Sequence, residues 1–361
     1  MSTSLPKSLL PACMAFACMA TTSITATAAD DLVLARNAAQ KFATLPADVR
    51  FPEGIAANPA NGDVYVGTFD YIGPNPNKLL RYAANGRLVA ERDVGGVPML
   101  GLAYDAANGK LYFANFGLSK IQRLAADLQG TIEDVATIPG IGAPADRPVG
   151  NPDGSQDTIA FGSNFFPAPN AMTFDRAGNL YVSDSFQGAV WRIDHAASCS
   201  PCLPTLVKQD PLLATAGHPA FGANGLAFNV DESTLFVANT GDDRILRLDM
   251  ASGTVAVFAE SVNGADGIAF DGSGRLWVAA NQADEVVALN DRGRVVARLG
   301  EFQGINRDGT PNGLLFPASL AIVGDHLFVT NLSLPLTDAQ GDEPEEDVTR
   351  YTVSRIKLPN R

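Results

Sequence analysis

Residues 265–271 read ADGIAFD and residues 223–229 read ANGLAFN, nearly the same seven letters with Asp266 and Asn224 at the same place. Four further versions complete the series: PEGIAAN (52–58), LGLAYD (100–105), PNAMTFD (169–175) and ASLAIVG (318–324). A second strand-like run follows each of them: DVYVG from 63, KLYFA from 110, NLYVS from 179, TLFVA from 234, RLWVA from 275 and HLFVT from 326. Third runs come next, KLLRYA, KIQRLA, AVWRID, RILRLD, EVVALN and TVSRIK, and fourth runs follow in five repeats, among them LVAERDV and TVAVFAE. The first run is small and apolar, as a strand buried on both faces should be. The later runs alternate and are β-branched or aromatic, which suits half-exposed strands.

Four strands recurring about every 50 residues are the blades of a propeller. The sixth repeat ends at TVSRIKLPNR without a fourth strand, and QKFATLP, just before the first repeat, has the character to supply it. The sequence therefore predicts an all-β, six-bladed β-propeller whose ring is closed by an N-terminal strand completing the last blade.

In such a ring the first strand of each blade lies beside the central axis, so equivalent positions face one another at one mouth of the channel. The residue before the recurrent Gly is Glu53, Leu100, Asn170, Asn224, Asp266 and Ala318 in turn. Four are oxygen donors and none is basic. Asn-Gly and Asp-Gly are also ordinary turn dipeptides, but Glu53 has no turn preference and Asn170 is followed by Ala. Two carboxylates and two amides converging without a basic partner would repel one another and lose hydration. A bound cation resolves that conflict, and an all-oxygen set favours Ca²⁺, with Mg²⁺ or Mn²⁺ as substitutes. The only histidines are His195, His218 and His326, and none belongs to the ring.

Propeller topology places two sets of loops over that mouth: those leading into each first strand and those joining second to third strands. The longest irregular stretches fall there, at 139–168, 211–223, 301–316 and 332–350, as the cover of a small-molecule pocket would. His218, six residues before Asn224, is a candidate substrate contact or proton carrier, with a hydrogen-bonded surface residue as the plainer reading, and Phe165, Phe166 and Phe221 are candidates for an apolar wall or for packing of the loops on themselves. The acidic GDEPEED (341–347) reads as a solvated loop. Arg81, Arg123, Arg192, Arg247 and Arg355 recur at one point of the third strand, which reads as a repeated structural contact.

The whole chain agrees with this reading. It has 361 residues, 46% hydrophobic, with 34 Gly and a net charge of −13, which disfavours nucleic acid and anionic membrane surfaces as partners and leaves a small molecule. Lys7, the apolar run LLPACMAFACMA and the small residues near Ala28 and Ala29 predict a cleaved signal peptide over 1–29, no membrane span, and a single domain over 30–361 exported to the periplasm or medium. Removal of that segment leaves Cys199 and Cys202 as the only cysteines, which predicts a loop-closing disulfide.

The repeats resemble the senescence-marker-protein/gluconolactonase/regucalcin-like six-bladed propellers over most of residues 50–357. The likeness is sharpest in NGLAFNVDESTLFVAN and DGIAFDGSGRLWVAAN. The resemblance implies a divalent metal, commonly Ca²⁺, held by Glu53, Asn224 and Asp266, with Asn170 approaching it through water or substrate. It further implies a lactone-hydrolysing enzyme in which Asp266 also acts as the acid/base. The sugar-lactone members carry an Arg two residues before the third-blade Asn; this chain has Ala168, which speaks against gluconolactone itself. Related propellers also serve as non-catalytic scaffolds, so a secreted binding protein with a structural Ca²⁺ is the rival reading.

Overall fold

Alternation along the strands determines how the blades pack. In the second strand of blade 1 (Val64–Thr68), Val64 and Val66 turn to one neighbour and Tyr65 to the other. The same division repeats around the molecule and produces six apolar clusters, each between two adjacent blades. One joins blades 1 and 2 through Tyr65, Leu79, Leu111 and Phe113. Another joins blades 6 and 1 through Phe328, Val353, Val66 and Leu80. Every blade thus buries both faces, and truncating a large side chain in any cluster should cost about 2–5 kcal/mol.

The structure is a computed structural model that describes residues 37–71, 73–161 and 166–359. The signal peptide expected over 1–29, and Phe165, lie outside the described residues. Six four-stranded antiparallel sheets form the blades, and the first strands pack on one another in a closed ring, blade 6 against blade 1. The strand Ala39–Thr44 pairs with Thr352–Lys357 and supplies the outer strand of blade 6, as QKFATLP predicts. Its Phe42 sits edge-on to Phe328, with ring centroids 4.8 Å apart.

The stretch 139–168 differs from the sequence reading: it contains a two-stranded hairpin, Arg147–Gly150 with Gln156–Ile159. The Arg147 Nη2 donates to Asp242 at 3.1 Å and so ties this hairpin to blade 4. Helical structure among the described residues is confined to the short 3₁₀ turns Phe116–Leu118, Asn281–Ala283 and Pro344–Asp347. The last of these turns lies in GDEPEED, whose Glu343, Glu345 and Glu346 are half-buried, so that segment is less solvated than its composition suggests. The recurrent third-strand arginines make local contacts. Arg81 Nε donates to Asp63 at 2.7 Å, Arg123 Nε to Glu133 at 2.9 Å, and Arg355 lies over the Phe42 ring. Among the described residues no helix is long and apolar enough to cross a membrane.

Candidate functional site

All six first strands slip register against their second strands at the same point. The slips fall between Pro52 and Ile55, Met99 and Leu102, Pro169 and Met172, Ala223 and Leu226, Ala265 and Ile268, and Pro317 and Leu320. The two residues inside each slip are the ring position and its follower. A bulge of this kind re-aims a side chain. Here Glu53, Leu100, Asn170, Asn224 and Asp266 all line one cavity at the axis.

The glycine that follows the ring residue has a spatial reason. A Cβ on Gly54 would stand 2.2 Å from the Leu100 carbonyl oxygen, and one on Gly225 would stand 2.3 Å from that of Asp266. At these glycines the neighbouring first strand approaches too closely for a side chain, whereas blades 3 and 6 carry Ala171 and Ser319 at the same position. The recurrent Asn-Gly and Asp-Gly pairs serve this contact between blades.

A second layer fixes the ring side chains. The amide nitrogen of Asn170 donates to Ser185 Oγ at 3.0 Å, and that hydroxyl donates to the Ala223 carbonyl at 2.7 Å. Asn224 repeats the pattern, donating to Thr240 Oγ1 at 2.9 Å, which donates to the Ala265 carbonyl at 2.8 Å. In blade 5, Asn281 Nδ2 donates to Asp266 Oδ2 at 3.1 Å. Ser185, Thr240 and Asn281 each follow the second strand of their blade, and the sequence reading did not single them out. A six-way comparison of that position would have found them: the occupants elsewhere are Phe69, Phe116 and Leu332.

With the amide nitrogens engaged, the oxygens are left over. Glu53 Oε2, Asn170 Oδ1, Asp266 Oδ1 and Asn281 Oδ1 are buried and have no hydrogen-bond partner, and all four residues line the same cavity. Buried polar atoms are normally satisfied, so this concentration makes the axis the candidate ligand site. Burial pushes the Glu53 carboxyl well above the usual carboxylate range, and the neighbouring Asp266 charge pushes it further. Burial likewise raises Asp266, to about 7, against the opposing pull of hydrogen bonds from Asn281 and Asn224. No Lys or Arg lines the cavity among the described residues, so no built-in cation balances the two carboxylates. The donors are two carboxylates and amides; among the described residues no three His, Cys, Asp or Glu side chains gather into a site. Oxygen donors of this type fit a hard divalent cation and do not suit zinc or copper.

The cavity's cover comes from the loops expected to supply it: Pro219 and Phe221 from 211–223, Phe316 from 301–316, and Leu332, Leu334 and Leu336 from 332–350. His218 is not among the lining residues. It is exposed, and its carbonyl accepts from Gln282 Nε2 at 3.5 Å, while its near neighbours Pro219 and Phe221 face the cavity. Ala168 is buried; its amide donates to Asp184 at 3.0 Å and its carbonyl accepts from the Ser185 amide at 3.0 Å. Cys199 and Cys202 are not among the lining residues; their sulfurs stand 2.00 Å apart.

Comparison with known proteins agrees with this architecture. Residues 168–300 match the family model described as the SMP-30/Gluconolactonase/LRE-like region. A solved luciferin-regenerating enzyme is similar over 86% of this chain and 94% of its own, with a TM-score of 0.60 at 16% identity. Regucalcin from Agrobacterium tumefaciens, a calcium-binding protein, is similar over 86% and 92%, with a TM-score of 0.57 at 16% identity. A gluconolactonase from Xanthomonas campestris is similar over 88% of both chains, with a TM-score of 0.54 at 18% identity. At such identities the likeness is one of fold, and function rests on the site. No curated protein matches the chain. Residues 168–300 thus resemble the SMP-30/gluconolactonase/LRE-like region, and the six-bladed fold is shared with these structures.

Proposed function

We propose that the protein is a divalent-cation-dependent hydrolase of lactones or related esters. The observation that carries this reading is the set of four buried, unpartnered oxygens, on Glu53, Asn170, Asp266 and Asn281, around one cavity. Glu53, Asn224 and Asp266 would hold the ion, Ca²⁺ first and Mg²⁺ or Mn²⁺ as substitutes, with Asn170 turned to substrate or water. When bound, the cation supplies positive charge that polarises the substrate carbonyl and offsets the charge growing on its oxygen.

The rest of the chemistry belongs to the chain. Asp266 accepts a proton from the attacking water and returns one to the departing alkoxide oxygen. The water oxygen bonds to the carbonyl carbon, the ring C–O bond breaks, and a hydroxy acid leaves. Asn281 holds Asp266 Oδ2, which leaves Oδ1 to face the cavity. The apolar cover limits the water present at the reacting centre.

Acid release in a pH-stat from a panel of lactones tests the reading, run after chelation and again with Ca²⁺ restored. Hydrolysis that vanishes and returns with the metal supports it. Folded protein that opens no lactone under either condition favours the binding scaffold. We place the activity in the periplasm or medium, on the strength of the apolar run after Lys7 and a Cys199–Cys202 disulfide suited to an oxidising compartment. Fractionation of the full-length chain, with mass spectrometry of its amino terminus, checks that placement.

A further inference from the structure

We infer that the lactone or ester taken at this site carries an alkyl or aryl group rather than hydroxyls, an inference that rests on the hydrolase reading. The cavity is divided. Its polar side chains gather at the axis, on the ring residues and on Thr240 and Asn281, where the cation and the reacting carbonyl would sit. The remainder of its surface is made by Phe69, Phe221, Phe316, Leu332, Leu334 and Leu336, together with Leu100 and Pro219. Among the described lining residues, no polar side chain stands on that wall to answer a hydroxyl group.

The division follows the blades. After the second strand, blades 3, 4 and 5 place Ser185, Thr240 and Asn281, which hydrogen-bond the ring donors. Blades 1, 2 and 6 place Phe69, Phe116 and Leu332 at the same position. The aromatic side extends outward from the cavity. Phe116 lies 5.4 Å from Phe69, Phe166 lies 5.2 Å from Phe116, and Phe166 is 46% exposed. Tyr71, 5.2 Å from Phe69, is 55% exposed. An apolar wall therefore runs from the carboxylates to solvent.

Physical chemistry then sorts the substrates. A polyhydroxylated lactone would bring several hydroxyls against this wall, and each would lose water without gaining a partner. An alkyl chain or aromatic ring on the same lactone would gain by burial there. Ala168 adds nothing polar, since its methyl is buried and its amide is already bonded to Asp184.

The test uses the full chain with Ca²⁺ and two six-membered lactones, δ-decanolactone and D-glucono-δ-lactone. Hydrolysis corrected for spontaneous opening and calorimetric binding are both measured. The expected result is a kcat/KM at least about a hundredfold higher for δ-decanolactone, the discrimination a single unmatched polar group can give. Leu334→Asn, which places an amide on the wall, should narrow that ratio about tenfold. Equal or faster opening of D-glucono-δ-lactone would overturn the inference while leaving the hydrolase reading intact. If neither lactone opens, the hydrolase reading fails and binding decides the ligand class: δ-decanolactone bound alone upholds it, and D-glucono-δ-lactone bound alone, or neither bound, overturns it.

Discussion

Asn281 holds one oxygen of Asp266 at 3.1 Å, and the remaining oxygens of the two side chains, Oδ1 of each, are buried without a partner in the same cavity. The contact makes Asn281 a positioning residue for Asp266, comparable to the outer partners that orient metal ligands elsewhere. Asn281→Ala should weaken Ca²⁺ binding about tenfold to a hundredfold, measured by calorimetry on chelated protein. It should also move the pH profile of hydrolysis to higher pH, because a hydrogen bond that pulls the Asp266 carboxyl down is lost. An unchanged affinity and an unchanged profile would reduce Asn281 to a packing residue.

The close approach around the axis makes a prediction about stability alone. Gly225→Ala should cost about 2 kcal/mol or more in chemical denaturation, since its methyl would meet the Asp266 carbonyl oxygen at 2.3 Å. Gly140→Ala is the control. It has no atom within 4 Å of the added carbon and no left-handed backbone, so its stability should stay within about 0.5 kcal/mol of wild type.

Glu345 gives a pH dependence. Burial raises its carboxyl to about 7, with the charges of Asp284, Glu343 and Glu346 adding to the rise. A carboxyl raised in the folded state keeps its proton while the unfolded chain has already lost it. Its contribution is therefore complete below the ordinary glutamate range and is lost as pH climbs through about 7. Glu345→Gln should accordingly raise Tm at pH 8 by about 2 °C, and raise it less at pH 5. Thermal unfolding at the two values checks the sign, and a larger gain at the lower pH would refute it.

Much of this was legible in the sequence because a repeat compares a protein with itself. Six aligned copies exposed the strands, the ring closure by residues before Pro52, and the convergence of Glu53, Asn170, Asn224 and Asp266, none of which depends on loop conformation. The reason for the glycines was not legible. Asn224-Gly225 is also an ordinary turn dipeptide, and only the fold shows a neighbouring strand's carbonyl standing against Gly54 and Gly225. Ser185, Thr240 and Asn281 were visible in principle, as polar residues after the second strand where other blades carry Phe or Leu. The loops were the least readable, because their paths follow tertiary contacts. The hairpin Arg147–Gly150/Gln156–Ile159 is tied down by Asp242, far along the chain, and six residues of separation from Asn224 did not bring His218 to the cavity.

The strand that closes the ring should be energetically significant. Phe42 packs edge-on against both Phe328 and Tyr82, bridging blades 6 and 1. Phe42→Ala should cost about 2 kcal/mol, less than a fully buried Phe because the ring is only partly buried. Urea denaturation with the transition slope unchanged would confirm a loss of packing; a cost near zero would show that the blade 6 closure contributes little.

On the proposed reading Glu53, Asn224 and Asp266 hold a divalent cation, with the buried, unpartnered Glu53 Oε2 and Asp266 Oδ1 among its donors. Calorimetric titration of Ca²⁺ into chelated full-length protein, wild type beside Glu53→Gln, tests it most directly. The expected result is one site per wild-type chain, with affinity reduced at least about a hundredfold when the Glu53 charge is removed. Folded wild-type protein that binds none of Ca²⁺, Mg²⁺ or Mn²⁺, or a Glu53→Gln variant that binds Ca²⁺ as tightly as wild type, would contradict it.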